Sequence, residues 1–240
     1  MVQVYGVKLL DDPLFMEMRV LFHVLLPPVV CEAASKFKYP AGQQRKVLGE
    51  LLLRALIFKN YHINPTKIRL GYSEKNKPFL HSHPGIHFNI SHSGAWVVIA
   101  FANTEVGVDV EQIRKVNLNI ARRFFSQAET EQLFSYSDSA RTEYFFDLWT
   151  LKESYLKAVG TGLTKPLKSF TVVKKRDAFH LADCERSDEI VLKQMVLERD
   201  YKLSVCTFGE SVSEHFSVLY LNDLLDLMNQ SKEELYEEKQ

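Results

Sequence analysis

Residues 106–111 read Val-Gly-Val-Asp-Val-Glu, branched apolar side chains alternating with a glycine and two acids. A period of two fits a strand with one buried face. Val106, Val108 and Val110 then point into a core, and Gly107, Asp109 and Glu111 point the other way. The two carboxylates share a face, with Cα atoms roughly 6.5–7 Å apart, so both can turn towards one ion. Gly107 is expected to leave room for a bulky ligand to approach the backbone. Two hard oxygen donors with space for phosphate and water suit Mg²⁺, which seldom takes a full protein cage. An edge strand with a solvated polar face accounts for the same six residues.

Leu148 to Gly160 has helical periodicity. Leu148, Leu151, Tyr155 and Val159 form the expected buried arc. Trp149, Glu153 and Lys157 are four apart and stack on another side. A Glu–Lys pair at this spacing is common on solvated helices. Trp149 argues for a second covering surface, expected to be the other half of the molecule, so that Glu153 and Lys157 face a cleft. Glu153 is then a third carboxylate for the ion, and Lys157 balances phosphate charge. Ser91-His92-Ser93-Gly94 follows an apparent strand. Its hydroxyls, imidazole and glycine-permitted backbone make a workable phosphate contact, although a lone histidine there also reads as structural. There is no GxxxxGK[ST] or GxGxxG run. His81, His83, His87 and His92 lack an HExxH or cysteine partner, so zinc is not expected.

The rest of the chain frames these stretches. Residues 2–8 read as a strand. Residues 11–40 read as irregular, broken at Pro13, Pro27, Pro28 and Pro40. Gln43 to Asn60 reads as a helix so apolar that it is buried on most sides. A turn at Lys75-Asn-Lys77-Pro78 precedes a hairpin, His87 to Phe101. Helices are expected over 118–135 and 143–159, and short strands at 170–173, 189–192, 201–206 and 216–220. The pattern is α+β, with two similar units side by side: residues 1–103, residues 104–225 with the metal site, and a charged tail over 226–240, read as a helix or as loose chain.

With 46 % apolar residues in 240, the chain can bury a real core. Thirty basic and thirty acidic residues cancel, so a nucleic-acid partner is not expected. Cys31, Cys184 and Cys206 form no CxxC pair and read as buried thiols in a reducing compartment. The start shows no signal-peptide pattern, and Val24 to Val30 is too short to span a bilayer. A cytoplasmic protein without a membrane partner is expected.

Taken in order, Phe88-Asn-Ile-Ser-His-Ser-Gly94, Val106-Gly-Val-Asp-Val-Glu111 and Leu148-Trp-Thr-Leu-Lys-Glu-Ser-Tyr-Leu-Lys157 resemble the signature set of the 4′-phosphopantetheinyl transferases, in their long, surfactin-type branch. The resemblance runs over nearly the whole chain. It implies a monomer of two α+β halves related by a pseudo-twofold axis, each a long helix on a small antiparallel sheet, with coenzyme A in the cleft between them. By position, Asp109, Glu111 and Glu153 would hold Mg²⁺. Lys157 and His92 would meet the phosphates, Lys77 and Ser91 would lie along coenzyme A, and Arg45 and Lys46 would sit near its 3′-phosphate. The implied reaction moves phosphopantetheine from coenzyme A to a serine of an apo peptidyl or acyl carrier protein and releases adenosine 3′,5′-bisphosphate. Glu153 is the first candidate base and Glu129 the second. Non-ribosomal peptide or antibiotic synthesis is the implied setting, with the carrier docking over Ile120 to Leu133. This chain departs from the pattern at Val30 and Ala33, where the branch carries basic residues near the 3′-phosphate. Another Mg-dependent pyrophosphate-cleaving enzyme and a non-catalytic coenzyme A or carrier-binding module are the competing readings.

Overall fold

The computed structural model describes residues 1–175, 178–182 and 189–237. Cys184 lies outside them, and Cys31 and Cys206 are buried thiols. Residues 11–40 are not irregular, as the prolines had led us to expect. Pro13 stands in the first turn of helix α1 (Asp12–Leu25), Pro28 opens α2 (Pro28–Ser35) and Pro40 opens α3 (Pro40–Tyr61). A proline in a first turn loses no helical hydrogen bond, and its fixed φ suits the helix. Asp11 caps α1 by accepting the Leu14 N–H at 2.8 Å. His62, left-handed at φ 52°, ends α3.

The strands are β1 (Val2–Lys8), β2 (Leu70–Tyr72), β3 (Pro78–Leu80), β4 (His87–Ser93), β5 (Trp96–Ala102), β6 (Val106–Gln112), β7 (Thr171–Lys175), β8 (Ala178–Ala182), β9 (Ile190–Met195), β10 (Tyr201–Phe208) and β11 (Val212–Val218). The remaining helices are α4 (Ala121–Phe124), α5 (Gln127–Ser135), α6 (Asp138–Val159) and α7 (Leu221–Glu237). One sheet has the order β11-β1-β5-β4 and the other β6-β10-β9-β8-β7, while β2 and β3 form a separate ribbon. The class is α+β, as expected.

Alternation sorts the side chains into layers. Val97, Ile99 and Phe101 of β5 pack with the Leu48–Ile57 stretch of α3. Trp96, Val98 and Ala100, on the opposite face, join Val106, Val108, Val110, Leu203 and Val205 between the sheets. Leu148, Leu151 and Tyr155 of α6 cover the far face of the second sheet with Phe170, Val172 and Cys206. The order is therefore helix, sheet, sheet, helix, and the three valines of β6 do point into a core.

The chain end departs from expectation. β11 pairs in parallel with β1, and Leu224 and Met228 of α7 enter the core around α3. Asn64 Nδ2 donates to the Ser231 carbonyl at 2.6 Å. Residues beyond 211 thus complete the first sheet and its core, and of the two readings of 226–237, charged helix or loose tail, the helix holds. The apolar positions 224 and 228 are one helical turn apart, which makes the segment amphipathic despite its charge. β8 was not expected at all.

Candidate active site

β4 and β6 are the facing edges of the two sheets, and side chains join them in place of a backbone ladder. Asn89 Oδ1 accepts the Val108 N–H at 2.9 Å, Ser91 Oγ the Val110 N–H at 3.4 Å, and Ser93 Oγ the Gln112 N–H at 3.1 Å. Each rung advances two residues on both strands, so the edges run parallel. The sequence carries the signal as polar residues at every second position of β4. The buried N–H groups of β6 are satisfied this way.

α6 lies against β6 at Gly107. A Cβ there would stand 2.0 Å from the Ser154 carbonyl oxygen and 2.4 Å from the Ala158 nitrogen. Gly107 therefore admits the helix backbone and not a ligand, contrary to expectation. Buried Thr150, Ser154 and Ala158, one turn apart, present a small-residue stripe to the sheet. The Thr150 and Ser204 hydroxyls bond across it at 2.8 Å. Trp149 also corrects the sequence reading. Its cover comes from Phe124, Phe125 and Phe145 beside its own helix, not from the other sheet. Val159, placed in the buried arc, is the last residue of α6 and is 39 % exposed.

This close approach brings the charged groups together. Lys157 Nζ donates to Asp109 Oδ1 at 2.6 Å, to Ser91 Oγ at 2.9 Å and to the Val108 carbonyl at 3.2 Å. Ser91 Oγ donates to Asp109 Oδ1 at 3.0 Å, and Ser93 Oγ to Glu111 Oε2 at 2.7 Å. Asp109 Oδ2 is buried without a partner. Burial pushes the Asp109 carboxyl up, against the pull of Lys157 and Ser91. Burial also raises Glu153, and the charges of Asp109 and Glu111 raise it further. Glu111 is raised by burial and by Asp109. Glu153 and the strand pair thus share one electrostatic neighbourhood.

Among the described residues, no three His, Cys, Asp or Glu side chains already close as a metal cage. The donor chemistry nevertheless fits a hard divalent cation. Three carboxylates repel one another, and a buried carboxylate oxygen lacks a partner. The pairing of Asp109 with Lys157 leaves that second oxygen unused.

Next to the carboxylates a cavity of about 560 Å³ opens between α3 and β4. Phe37, Lys38, Tyr39, Arg45, Lys46 and His92 stand on its wall. Arg45 Nη2 donates to the Gly94 carbonyl at 2.6 Å, and its buried Nε has no partner. The protein crowded around the His92 ring lowers its pKa, and Arg45 and Lys157 lower it further. Arg45, Lys46 and His92 thus stand on the cavity wall, and Ser91, next to His92 in β4, and Lys157 bond Asp109. Val30 and Ala33 line an adjoining cavity of about 550 Å³ that shares Lys46 and Glu50 with the first.

Two candidates are placed elsewhere. Lys77 Nζ is held by the Ala158 and Val106 carbonyls at 3.0 and 3.2 Å, beside a third cavity of about 390 Å³ with Pro78, Phe79, Ile86 and Val159 on its wall. Burial lowers its pKa. Glu129 does not join the carboxylates. Its Oε1 accepts from Lys152 Nζ at 2.6 Å and from the Val172 N–H at 2.7 Å, and its Oε2 from the Ser126 N–H at 2.7 Å. At 1 % exposure it cannot meet a substrate hydroxyl, so it drops out as a base. Asn89 and Lys152 are the residues the sequence reading missed, and Ser93, read there as a phosphate contact, bonds the Glu111 carboxylate instead.

The chain matches two family models, described as 4′-phosphopantetheinyl transferase, N-terminal, over residues 13–104 and 4′-phosphopantetheinyl transferase superfamily over residues 105–206. It is 33 % identical over 226 residues to the 4′-phosphopantetheinyl transferase Sfp of Bacillus subtilis (strain 168), an alignment covering 93 % of this chain and all of that one. It is 35 % identical to the psf-1 transferase of Bacillus pumilus, over 82 % of this chain and 85 % of the relative. For the gsp transferase of Aneurinibacillus migulanus the identity is 37 %, over 70 % of each chain. With signature residues gathered on one seam and a full-length relative of this kind, the chain belongs to the surfactin-type 4′-phosphopantetheinyl transferases.

Proposed function

We propose that the protein transfers the 4′-phosphopantetheine arm of coenzyme A to a serine of an apo peptidyl or acyl carrier protein, releasing adenosine 3′,5′-bisphosphate. One observation carries the reading. A cavity with Arg45, Lys46 and His92 on its wall lies beside Ser91, which bonds Asp109 with Lys157, and the charge of Asp109 reaches Glu111 and Glu153. The nucleotide end of coenzyme A fits the first part and its diphosphate the second. Asp109, Glu111 and Glu153 would hold Mg²⁺, which when bound supplies charge neutralisation for the diphosphate and its leaving group. Lys157 and His92 bind phosphate oxygens, and Ser91 orients Asp109. The carrier serine oxygen attacks the pantetheine-side phosphorus, the bond from that phosphorus to the bridging oxygen breaks, and Glu153 takes the serine proton. Lys77 and the cavity beside it lie on the pantetheine side.

The two halves of this reading are related by a pseudo-twofold axis, each with a 22-residue helix outside its sheet. We place residues 1–103 and 212–237 in one and 104–211 in the other. The protein acts as a cytoplasmic monomer in peptide or lipopeptide synthesis, with the carrier over Ile120 to Leu133, where Arg122 and Arg123 are exposed.

The test is mass spectrometry of an apo carrier incubated with coenzyme A, with and without Mg²⁺. Gain of the arm only with the metal supports the reading. Cleavage of coenzyme A without modification of the carrier identifies a hydrolase, and binding with neither identifies a non-catalytic module.

A further inference from the structure

The sequence offers Ser93 as a hydroxyl for phosphate, yet in the structure that hydroxyl has a fixed direction towards a carboxylate. Its oxygen accepts the Gln112 N–H at 3.1 Å, so its own proton is free to point the other way, to Glu111 Oε2 at 2.7 Å. Both bonds lie at the seam of β4 and β6, where the backbone around them is held by the neighbouring rungs. A hydroxyl has one proton to donate. Spending it on Oε2 keeps Glu111 an acceptor and turns its other oxygen, Oε1, to a defined side. Ser91 repeats the arrangement two residues earlier. It accepts from Val110 N and Lys157 Nζ and donates to Asp109 Oδ1, leaving Asp109 Oδ2 without a partner. Each carboxylate of β6 thus has one oxygen tied by a β4 hydroxyl. Asn89 forms the third rung, its Oδ1 accepting the Val108 N–H at 2.9 Å, and that oxygen bonds no carboxylate, whereas the Ser91 and Ser93 hydroxyls each do.

We propose that Ser93 is a positioning residue that presents Glu111 to the divalent cation, and that the rungs of the seam divide their work. Asn89 only joins the two sheets, whereas Ser93 joins them and also aims a metal ligand. The inference rests on the metal reading of the same site. An outer partner that orients a ligating carboxylate changes metal affinity by about 10–100-fold when removed.

The test measures metal binding directly and not only turnover. Mn²⁺ is titrated into the full chain and free Mn²⁺ is read by electron paramagnetic resonance. Wild type is compared with Ser93→Ala, Ser93→Thr and Asn89→Ala, with melting temperature followed in parallel. Ser93→Ala should weaken Mn²⁺ binding about tenfold or more. Ser93→Thr, which keeps the hydroxyl on a strand, should stay within about threefold of wild type. Asn89→Ala should lower the melting temperature as the serine variant does while keeping Mn²⁺ affinity within about threefold, because it breaks a rung that touches no ligand. Ser93→Cys keeps the volume with a weak donor and gives the same reading should the alanine variant not fold. Equal affinity in Ser93→Ala and wild type overturns the proposal, and so does equal weakening in Asn89→Ala, which would make the loss a matter of seam integrity. Wild-type protein that binds no Mn²⁺ and transfers fully in a chelator overturns the metal reading itself, a result separate from any difference between variants.

Discussion

Gly107→Ala is the sharpest perturbation the structure offers, because intrinsic preference and packing predict opposite signs. A glycine inside a strand is entropically costly, and alanine alone would add roughly 0.5–1 kcal/mol of stability. Packing predicts the reverse. The added methyl would stand 2.0 Å from the Ser154 carbonyl oxygen, and ordinary contact begins near 3.4 Å, so backbone must retreat by about 1.4 Å. The obstacle is helix backbone on both sides, Ser154 and Ala158, and no side chain can swing away. Over-packing of this kind costs about 1–3 kcal/mol. At about 2–4 °C per kcal/mol for a chain of this size, the melting temperature should fall by about 2–12 °C. Glu153 and Lys157 precede Ser154 and Ala158 in the chain, so a retreating helix carries both away from Asp109. A misplacement near 1 Å can cost about 100-fold in rate. The assay is transfer to an apo carrier by mass spectrometry at a temperature where circular dichroism shows the variant folded. A variant as stable as wild type, or more so, with kcat/KM within threefold, would refute the claim that helix-to-strand contact at Gly107 sets the site.

The other predictions address charge. Asp109→Ala should abolish transfer with the fold retained, since Lys157 is partly open to solvent and can rehydrate; wild-type turnover would remove the metal model. Glu129→Gln should destabilise the chain by about 3–5 kcal/mol, because it uncouples a fully buried Lys152, while kcat measured on folded protein stays near wild type; loss of kcat without loss of stability would restore Glu129 as a base. Val30→Lys with Ala33→Lys should lower the KM for coenzyme A, and an unchanged KM would show that Lys38, Arg45 and Lys46 already suffice. Asp109, Glu111 and Glu153 all carry raised pKa values, so between the unfolded carboxylate value near 4 and those raised values the folded chain holds more protons than the unfolded one. The three carboxylates should therefore make stability fall as pH rises through that window, and Mg²⁺ should flatten the slope; His92, whose value is lowered, opposes them below its unfolded value of about 6.5, and Glu198, Glu210 and Glu214, also lowered, act below the window. Melting curves in chelator and in Mg²⁺ read this directly.

Periodicity made the carboxylates, Glu153 and Lys157 legible, since a strand and a helix each repeat at a known spacing. The alternation of β6 also placed its valines correctly. Distance between elements was not legible. The sequence could not say that Gly107 receives a helix, because an open glycine and one under another backbone look alike in one dimension. The prolines at 13, 28 and 40 misled for a related reason, since a proline ends what precedes it and also starts helices. Trp149 is drawn to the cleft by its helical spacing from Glu153 and Lys157, and Glu129 by the family resemblance. In the structure, aromatic neighbours claim the first and a buried lysine the second. β11 and α7 return to the first sheet by a pairing of high sequence separation, which no local pattern records.

Two ion pairs on the same helix show where structure ends and chemistry begins. Lys152 and Glu129 are almost fully enclosed, and each spends its capacity on further partners, the Phe170 carbonyl for one and the Val172 and Ser126 amides for the other. A pair so satisfied locks α5, α6 and β7 and has nothing left to offer a ligand. Five residues along α6, Lys157 and Asp109 are just as close, at 2.6 Å, but Asp109 keeps one buried oxygen without a partner and two further carboxylates raise the local negative potential. An unsatisfied buried acceptor costs about 1–3 kcal/mol. The unliganded chain carries that cost at a place where one cation could relieve it, and by linkage the relief appears as binding free energy. The difference between the two pairs is therefore not their charge, their length or their helix. It is that one is complete and the other is held incomplete by a glycine, two serines and the edges of two sheets.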